Sequence, residues 1–100
     1  MKLKLTNQEF MALYLIMQQL NHKYVCHDME DKLFHVLLTG IYMKLHKISI
    51  INKAKYSVKL SEAEAISFWV ILHDHILSNE SFEGNLINTI NNSIHQKFAA

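Results

Sequence analysis

Residues 57–65, SVKLSEAEA, are the key to this chain, because they echo residues 2–10, KLKLTNQEF, at the other end of the sequence. In both places a short alternating segment (Lys2, Leu3, Lys4, Leu5; Ser57, Val58, Lys59, Leu60) runs into a hydroxyl residue, and a glutamate stands three positions after that hydroxyl. Thr6 with Glu9, and Ser61 with Glu64, form two capping boxes. In each, the hydroxyl accepts from the third helical amide and the glutamate reaches back to the cap amide. Each box marks a helix start, and the alternating residues before it read as a strand.

The residues after each box have helical spacing. Phe10, Leu13, Met17 and Leu20 make one apolar stripe, and Ala65, Phe68, Trp69, Leu72 and Ile76 make another. After a polar break near His27, Asp28 and Glu30, the i+4 series Leu33, Leu37, Ile41, Leu45 predicts a second helix over about 29–47. After the break at Ser78, Asn79, Glu80 and Ser81, the series Leu86, Ile90, Ile94, Phe98 predicts a fourth over about 81–98. The expected fold is mainly α. It is a single helical domain over 1–100, with four helices arranged as two duplicated strand-helix-helix units (about 2–47 and 57–98) and a minor two-stranded β ribbon. One such half is too small to hold a self-sufficient core, so the halves share one. The ribbon is expected to pair residues 2–5 with 57–60, antiparallel, about a pseudo-twofold axis. The rival pairing is a local hairpin in which Ile48 to Ile51 and Tyr56 to Leu60 flank a turn at 52–55.

Composition narrows the functions worth considering. Half of the 100 residues are apolar, there is no proline, and Gly40 and Gly84 are the two glycines, so no Gly-rich phosphate loop can be written. The single cysteine, Cys26, excludes an intramolecular disulfide and a Cys-rich zinc site and suits a reducing, cytoplasmic setting. The start of the chain does not read as a secretory signal, and the apolar runs at 10–17 and 68–72 are far shorter than the roughly 20 residues a membrane span needs. No membrane partner is expected.

The candidate chemistry is weak. His73 and His75 flank Asp74, but helical residues two apart point about 200° away from each other and cannot readily clasp one ion. At the end of a helix they instead meet the negative end of its dipole. Cys26 beside His22 and His27 lacks an orienting group and an oxyanion site. His35 and His46 show the spacing of an ordinary amphipathic helix. Asp28, Glu30, Asp31, Glu62 and Glu64 lie at helix starts, where negative charge is stabilising. No catalytic residue, metal site or cofactor is therefore expected.

Surfaces say more. Residues 10–17 and 66–72 are apolar nearly all the way round their helices, so Met11, Leu15, Ile66 and Val70 are candidate interface residues. The expectation is a non-enzymatic protein that works by self-association as a homodimer and then by contact with another protein. The alternative for these helices is that helices two and four clamp them from both sides. Charge is also polarised: residues 32–61 hold six lysines and no acid, whereas the remainder holds four lysines and nine acids. Lys44, Lys47, Lys53, Lys55 and Lys59, with Tyr42 and Tyr56 nearby, form the candidate nucleic-acid contact of an alternative reading as a nucleic-acid accessory protein. All ten basic residues are lysine, which removes the bidentate arginine reader of guanine and phosphate.

Overall fold

The computed structural model describes residues 1–73 and 81–99. Among them the elements run β1 (Lys2–Thr6), α1 (Asn7–Lys23), α2 (Met29–Ser49), β2 (Lys55–Lys59), α3 (Glu62–His73) and α4 (Phe82–Phe98). The protein is mainly helical, with one two-stranded sheet. Each helix begins where the sequence supplies a cap. Thr6 Oγ1 accepts from Glu9 N at 3.2 Å while Thr6 N donates to Glu9 Oε1 at 2.8 Å. Ser61 Oγ likewise accepts from Glu64 N at 3.1 Å while Ser61 N donates to Glu64 Oε1 at 2.9 Å. Asp28 accepts from Asp31 N at 2.8 Å, and Ser81 from Gly84 N at 3.0 Å. These bonds satisfy amides that a helix start otherwise leaves without partners.

β1 and β2 pair antiparallel, with Lys2 opposite Lys59, Leu3 opposite Val58, Lys4 opposite Ser57, Leu5 opposite Tyr56 and Thr6 opposite Lys55. Met1 and Leu60 extend the ladder: Leu60 N donates to Met1 O at 2.8 Å and Met1 N to Leu60 O at 2.9 Å. The local hairpin over 48–60 does not form, because Ile48 and Ser49 are the last residues of α2 and Ile50 keeps helical dihedrals. The connection after α2 is instead tied to the start of α1. Asn7 Nδ2 donates to Asn52 Oδ1 (2.9 Å) and Lys53 O (2.8 Å), and Asn7 N donates to Ala54 O (3.0 Å). The Tyr56 hydroxyl donates to Ile51 O and accepts from Lys53 N, both at 2.9 Å. The 51–54 segment thereby delivers Lys55 to β1, not to the end of α2.

Strict alternation makes the ribbon two-faced. Leu3, Leu5, Tyr56 and Val58 are buried, and Leu60 continues their row. They meet Phe10, Leu13 and Met17 of α1 in one core, in which the Phe10 and Tyr56 rings stack at 4.0 Å. α2 packs on α1 and α3, α3 on α2 and α4, and α1 also touches α4. The apolar helices α1 and α3 are thus each flanked by α2 and α4, the clamped arrangement. Ile76, the last member of the α3 stripe, lies outside the described residues.

The α2 core stripe is not the expected one. Leu38, Ile41 and Leu45 are buried and Phe34 and Ile48 pack against them, whereas Leu33 is 57% exposed and Leu37 is half-buried. A strict i+4 series advances about 40° per step, so over three steps it turns about 120° away from any fixed face, while alternating steps of four and three hold the stripe. In α4 the series Leu86, Ile90, Ile94 does stay buried, because Ile87 and Asn91 beside it widen the buried face, and Phe98 at its end is half-buried. The difference is measurable by urea denaturation. Measured in the monomer, at a protein concentration too low for association, Leu38→Ala should cost about 2–5 kcal/mol, and Leu33→Ala less than about 0.5 kcal/mol; equal costs would put the wrong face of α2 in the core.

Candidate functional site

With one face of α2 in the core, the opposite face carries a second apolar stripe. Met29, Leu33, Val36, Met43 and Ile50 all point outward, from 53% exposed at Met43 to 83% at Met29. Their positions keep the four-three alternation of a coiled-coil seam, with Lys47 at one intervening place and, at the other, Gly40, where a Cβ would stand 3.6 Å from Glu64 Oε2 of α3. Apart from Lys32 in the first turn, charge divides along the same helix. Asp28, Glu30 and Asp31 stand at its start, and Lys44, His46 and Lys47 occupy its last turns. Each set complements the helix dipole.

The residues expected to form an interface divide between two other places. Met11 and Leu15 are exposed one turn apart on α1. Ile66, which is exposed, and Val70, which is half-buried, line an apolar groove of about 280 Å³ between α3 and α4, together with Trp69, Ile94, His95 and Phe98. The Trp69 indole stacks on His73 at 4.3 Å and lies 6.0 Å from His95. α1 and α3 pack mainly on α2 and α4 and not on each other, so the two pairs are not one surface. The larger exposed apolar stripe, on α2, is hidden in the sequence because the spacing of Leu33 marks it as a core residue.

The lysines are brought together more closely than their positions in the chain suggest. Lys2, Lys4 and Thr6 face outward from β1, and Lys55, Ser57 and Lys59 face outward beside them from β2. Lys2 and Lys4, which belong to the acidic part of the sequence, thus join the basic segment. Period-two alternation combined with the 2–5/57–60 pairing is the signal that places them there. Lys47, Lys59, Ser57 and Ser61 line a groove of about 460 Å³ between α2 and β2, floored by Ile48 and Val58. Lys53 sits in the 51–54 connection, with its backbone held by Asn7 and Tyr56.

Lys44 borders that groove but is committed inside the molecule. Its Nζ donates to Lys59 O at 3.0 Å and forms an ion pair with Glu64 Oε1, the oxygen that also closes the Ser61 capping box. Burial pushes the Glu64 carboxyl up, but the hydrogen bond from Lys44, the Ser61 amide and the Lys44 charge outweigh it and hold the group below the usual glutamate range.

The remaining candidates carry structural roles. Asp28 caps α2, and Asp31 Oδ2 accepts from His27 N at 3.1 Å. Cys26 is exposed, with its Sγ 3.9 Å from Asp31 O. His35 stacks on Tyr24, and Tyr14 Oη lies 2.5 Å from His46 Nδ1. Tyr14 also raises the Tyr42 pKa through a hydrogen bond, with burial adding to the effect and Gln18 opposing it. Among the described residues no three His, Cys, Asp or Glu side chains converge to hold a metal, and no helix is long and apolar enough to cross a membrane. Asp74 and His75 lie outside the described residues. No protein-family model, curated protein or solved structure matches the chain.

The Glu64 arrangement has a pH signature. A carboxyl whose folded pKa is depressed adds stability above its unfolded value, about 4.3, and that stability is lost as pH falls through the folded value. Wild type should exceed Glu64→Gln in thermal stability at pH 7, with the gap closing as pH falls below the unfolded value through the depressed folded one. Glu64→Ala, which also removes the acceptor of the Ser61 amide, should lose about 1 kcal/mol. The ion pair itself adds little, because the Lys44 side chain is 43% exposed.

Proposed function

We propose that this is a non-enzymatic protein that works by association, first with a second copy of itself through the outward face of α2. The observation that carries this reading is the exposed seam of Met29, Leu33, Val36, Met43 and Ile50. Knobs spaced four and three apart fit the facing holes of another helix that carries the same spacing. The charges along α2 select the partner and its direction. An antiparallel second copy sets Asp28 and Glu30 of one protomer beside Lys47 of the other and opposes the two helix dipoles favourably. A parallel copy sets like charges together at both ends. Such a dimer presents its other surfaces twice, and contact with a further protein is the second part of the reading. A reducing, cytoplasmic setting belongs to it too, supported by one exposed and unpaired thiol at Cys26.

The duplication of a strand-helix-helix unit belongs to the same reading. A shift of 55 residues maps the Leu3–Val58 pair onto itself and exchanges the Lys2–Lys59 and Lys4–Ser57 pairs, as a twofold axis through the ribbon requires. The matching capping boxes at Thr6 and Ser61 support it further.

Sedimentation equilibrium tests the association. Wild type should be a dimer, and Val36→Asp with Met43→Asp a folded monomer by circular dichroism, while Met11→Asp with Leu15→Asp remains dimeric. Direction is read by oxidation. In the antiparallel pair the two Cys26 residues are about 30 Å apart, roughly the length of α2 at 1.5 Å per residue, so wild type should not crosslink. Ile51→Cys should crosslink to the partner's Cys26. A wild-type monomer at millimolar concentration contradicts the proposal, and a Cys26–Cys26 dimer contradicts its geometry.

A further inference from the structure

We propose that the outer face of the β1–β2 ribbon and the groove beside it bind the phosphodiester backbone of a nucleic acid without reading its bases. Along both strands this face consists of Lys2, Lys4, Lys55 and Lys59 with the hydroxyl residues Thr6 and Ser57, and it carries no carboxylate. Two of the nearby glutamates are engaged. Glu9 closes the Thr6 capping box, and Glu64 holds Lys44.

The register concentrates this charge. Met1 and Leu60 exchange backbone hydrogen bonds, so by alternation Lys2 and Lys59 form a non-hydrogen-bonded pair. In such a pair the Cα atoms approach to about 4.5 Å and the side chains are nearer than elsewhere on the ladder. Like charges directly opposite one another weaken a sheet, and an anion lying across the pair reverses that sign. A phosphate chain does so repeatedly.

The groove adds directed donors. The same alternation turns the backbone of Ser57 and Lys59 away from β1 and toward α2, which is why Lys44 Nζ reaches Lys59 O. The N–H groups of Ser57 and Lys59 therefore face the groove, where Lys47, Lys59 and the Ser57 and Ser61 hydroxyls surround a volume of about 460 Å³. Ammonium, hydroxyl and amide donors around one space suit phosphate oxygens. Lys44 is committed to Glu64 and Lys47 lies on the outward seam of α2, which leaves the four ribbon lysines for the anion: Lys2, Lys4, Lys55 and Lys59. The chain has no arginine for bidentate guanine recognition and the ribbon face has no aromatic ring for stacking, so binding should be independent of sequence.

Phosphate binding at the ribbon does not depend on association through α2. Fluorescence anisotropy with labelled 20-base-pair duplexes of two unrelated sequences tests it, between 50 and 200 mM salt. The two duplexes should bind alike, and log affinity should fall against log salt with a slope of about −4, as expected for about four neutralised phosphates. Lys2→Gln with Lys4→Gln, and separately Lys55→Gln with Lys59→Gln, should each weaken binding at least tenfold at low salt and reduce the slope by about 2. Lys23→Gln, at the far end of α1 from the ribbon, should change it less than twofold. Folding of each variant is checked by its thermal melt. No binding at 50 mM salt overturns the proposal and leaves the lysines as a guard against edge pairing. So does binding that survives both ribbon variants, or binding to anionic vesicles or acidic peptides in preference to DNA.

Discussion

Every other element takes its place from the antiparallel pairing of β1 with β2. A two-stranded ribbon is marginal alone, and this one joins segments more than 50 residues apart in the chain. It holds because its inner row, Leu3, Leu5, Tyr56 and Val58, is buried against α1 and its outer row is left to water. Each strand then runs directly into a capped helix, β1 through Thr6 and β2 through Leu60 and Ser61. Because the strands are antiparallel, α1 and α3 leave the ribbon at opposite ends. α2 and α4 are then positioned by packing on helices whose origins the ribbon has already set.

The parts of this arrangement that are local in the chain are legible in it. Caps need residues three apart, strand faces need residues two apart, and both patterns stand in the first ten residues and again at 57–65. The echo between these segments also points to the long-range pairing that occurs. Legibility ends where a pattern has to be extended over many residues or across space. The α2 series from Leu33 to Leu45 has the spacing of a stripe but drifts round the helix, so Leu33 lies outside and Leu38 inside. The Lys44–Glu64 pair links α2 to α3 over 20 positions and leaves no local trace. The basic face is only partly legible, since counting charge along the chain separates Lys2 and Lys4 from Lys55 and Lys59 although the ribbon sets them side by side.

These differences move the functional surfaces. Apolar composition draws attention to α1 and α3, yet both are flanked by other helices, and the longest exposed stripe runs along α2. A run of lysines suggests one basic segment, yet Lys44 is neutralised within the fold and β1 supplies two cations instead. An apolar helix face and a cationic sheet face lie on separate elements, so one can be altered without disturbing the other. The cationic face is a consequence of the ribbon register. A shift of one residue would turn the lysines inward and the leucines to solvent.

Fold and cationic face alike therefore stand on that register, and nuclear magnetic resonance reads it directly. In non-hydrogen-bonded antiparallel pairs the Hα atoms of opposed residues come close, so cross-peaks between Lys2 and Lys59 Hα and between Lys4 and Ser57 Hα are predicted in solution. Cross-peaks linking residues 48–51 to 56–60 in place of these, or a register displaced by one residue, would refute it.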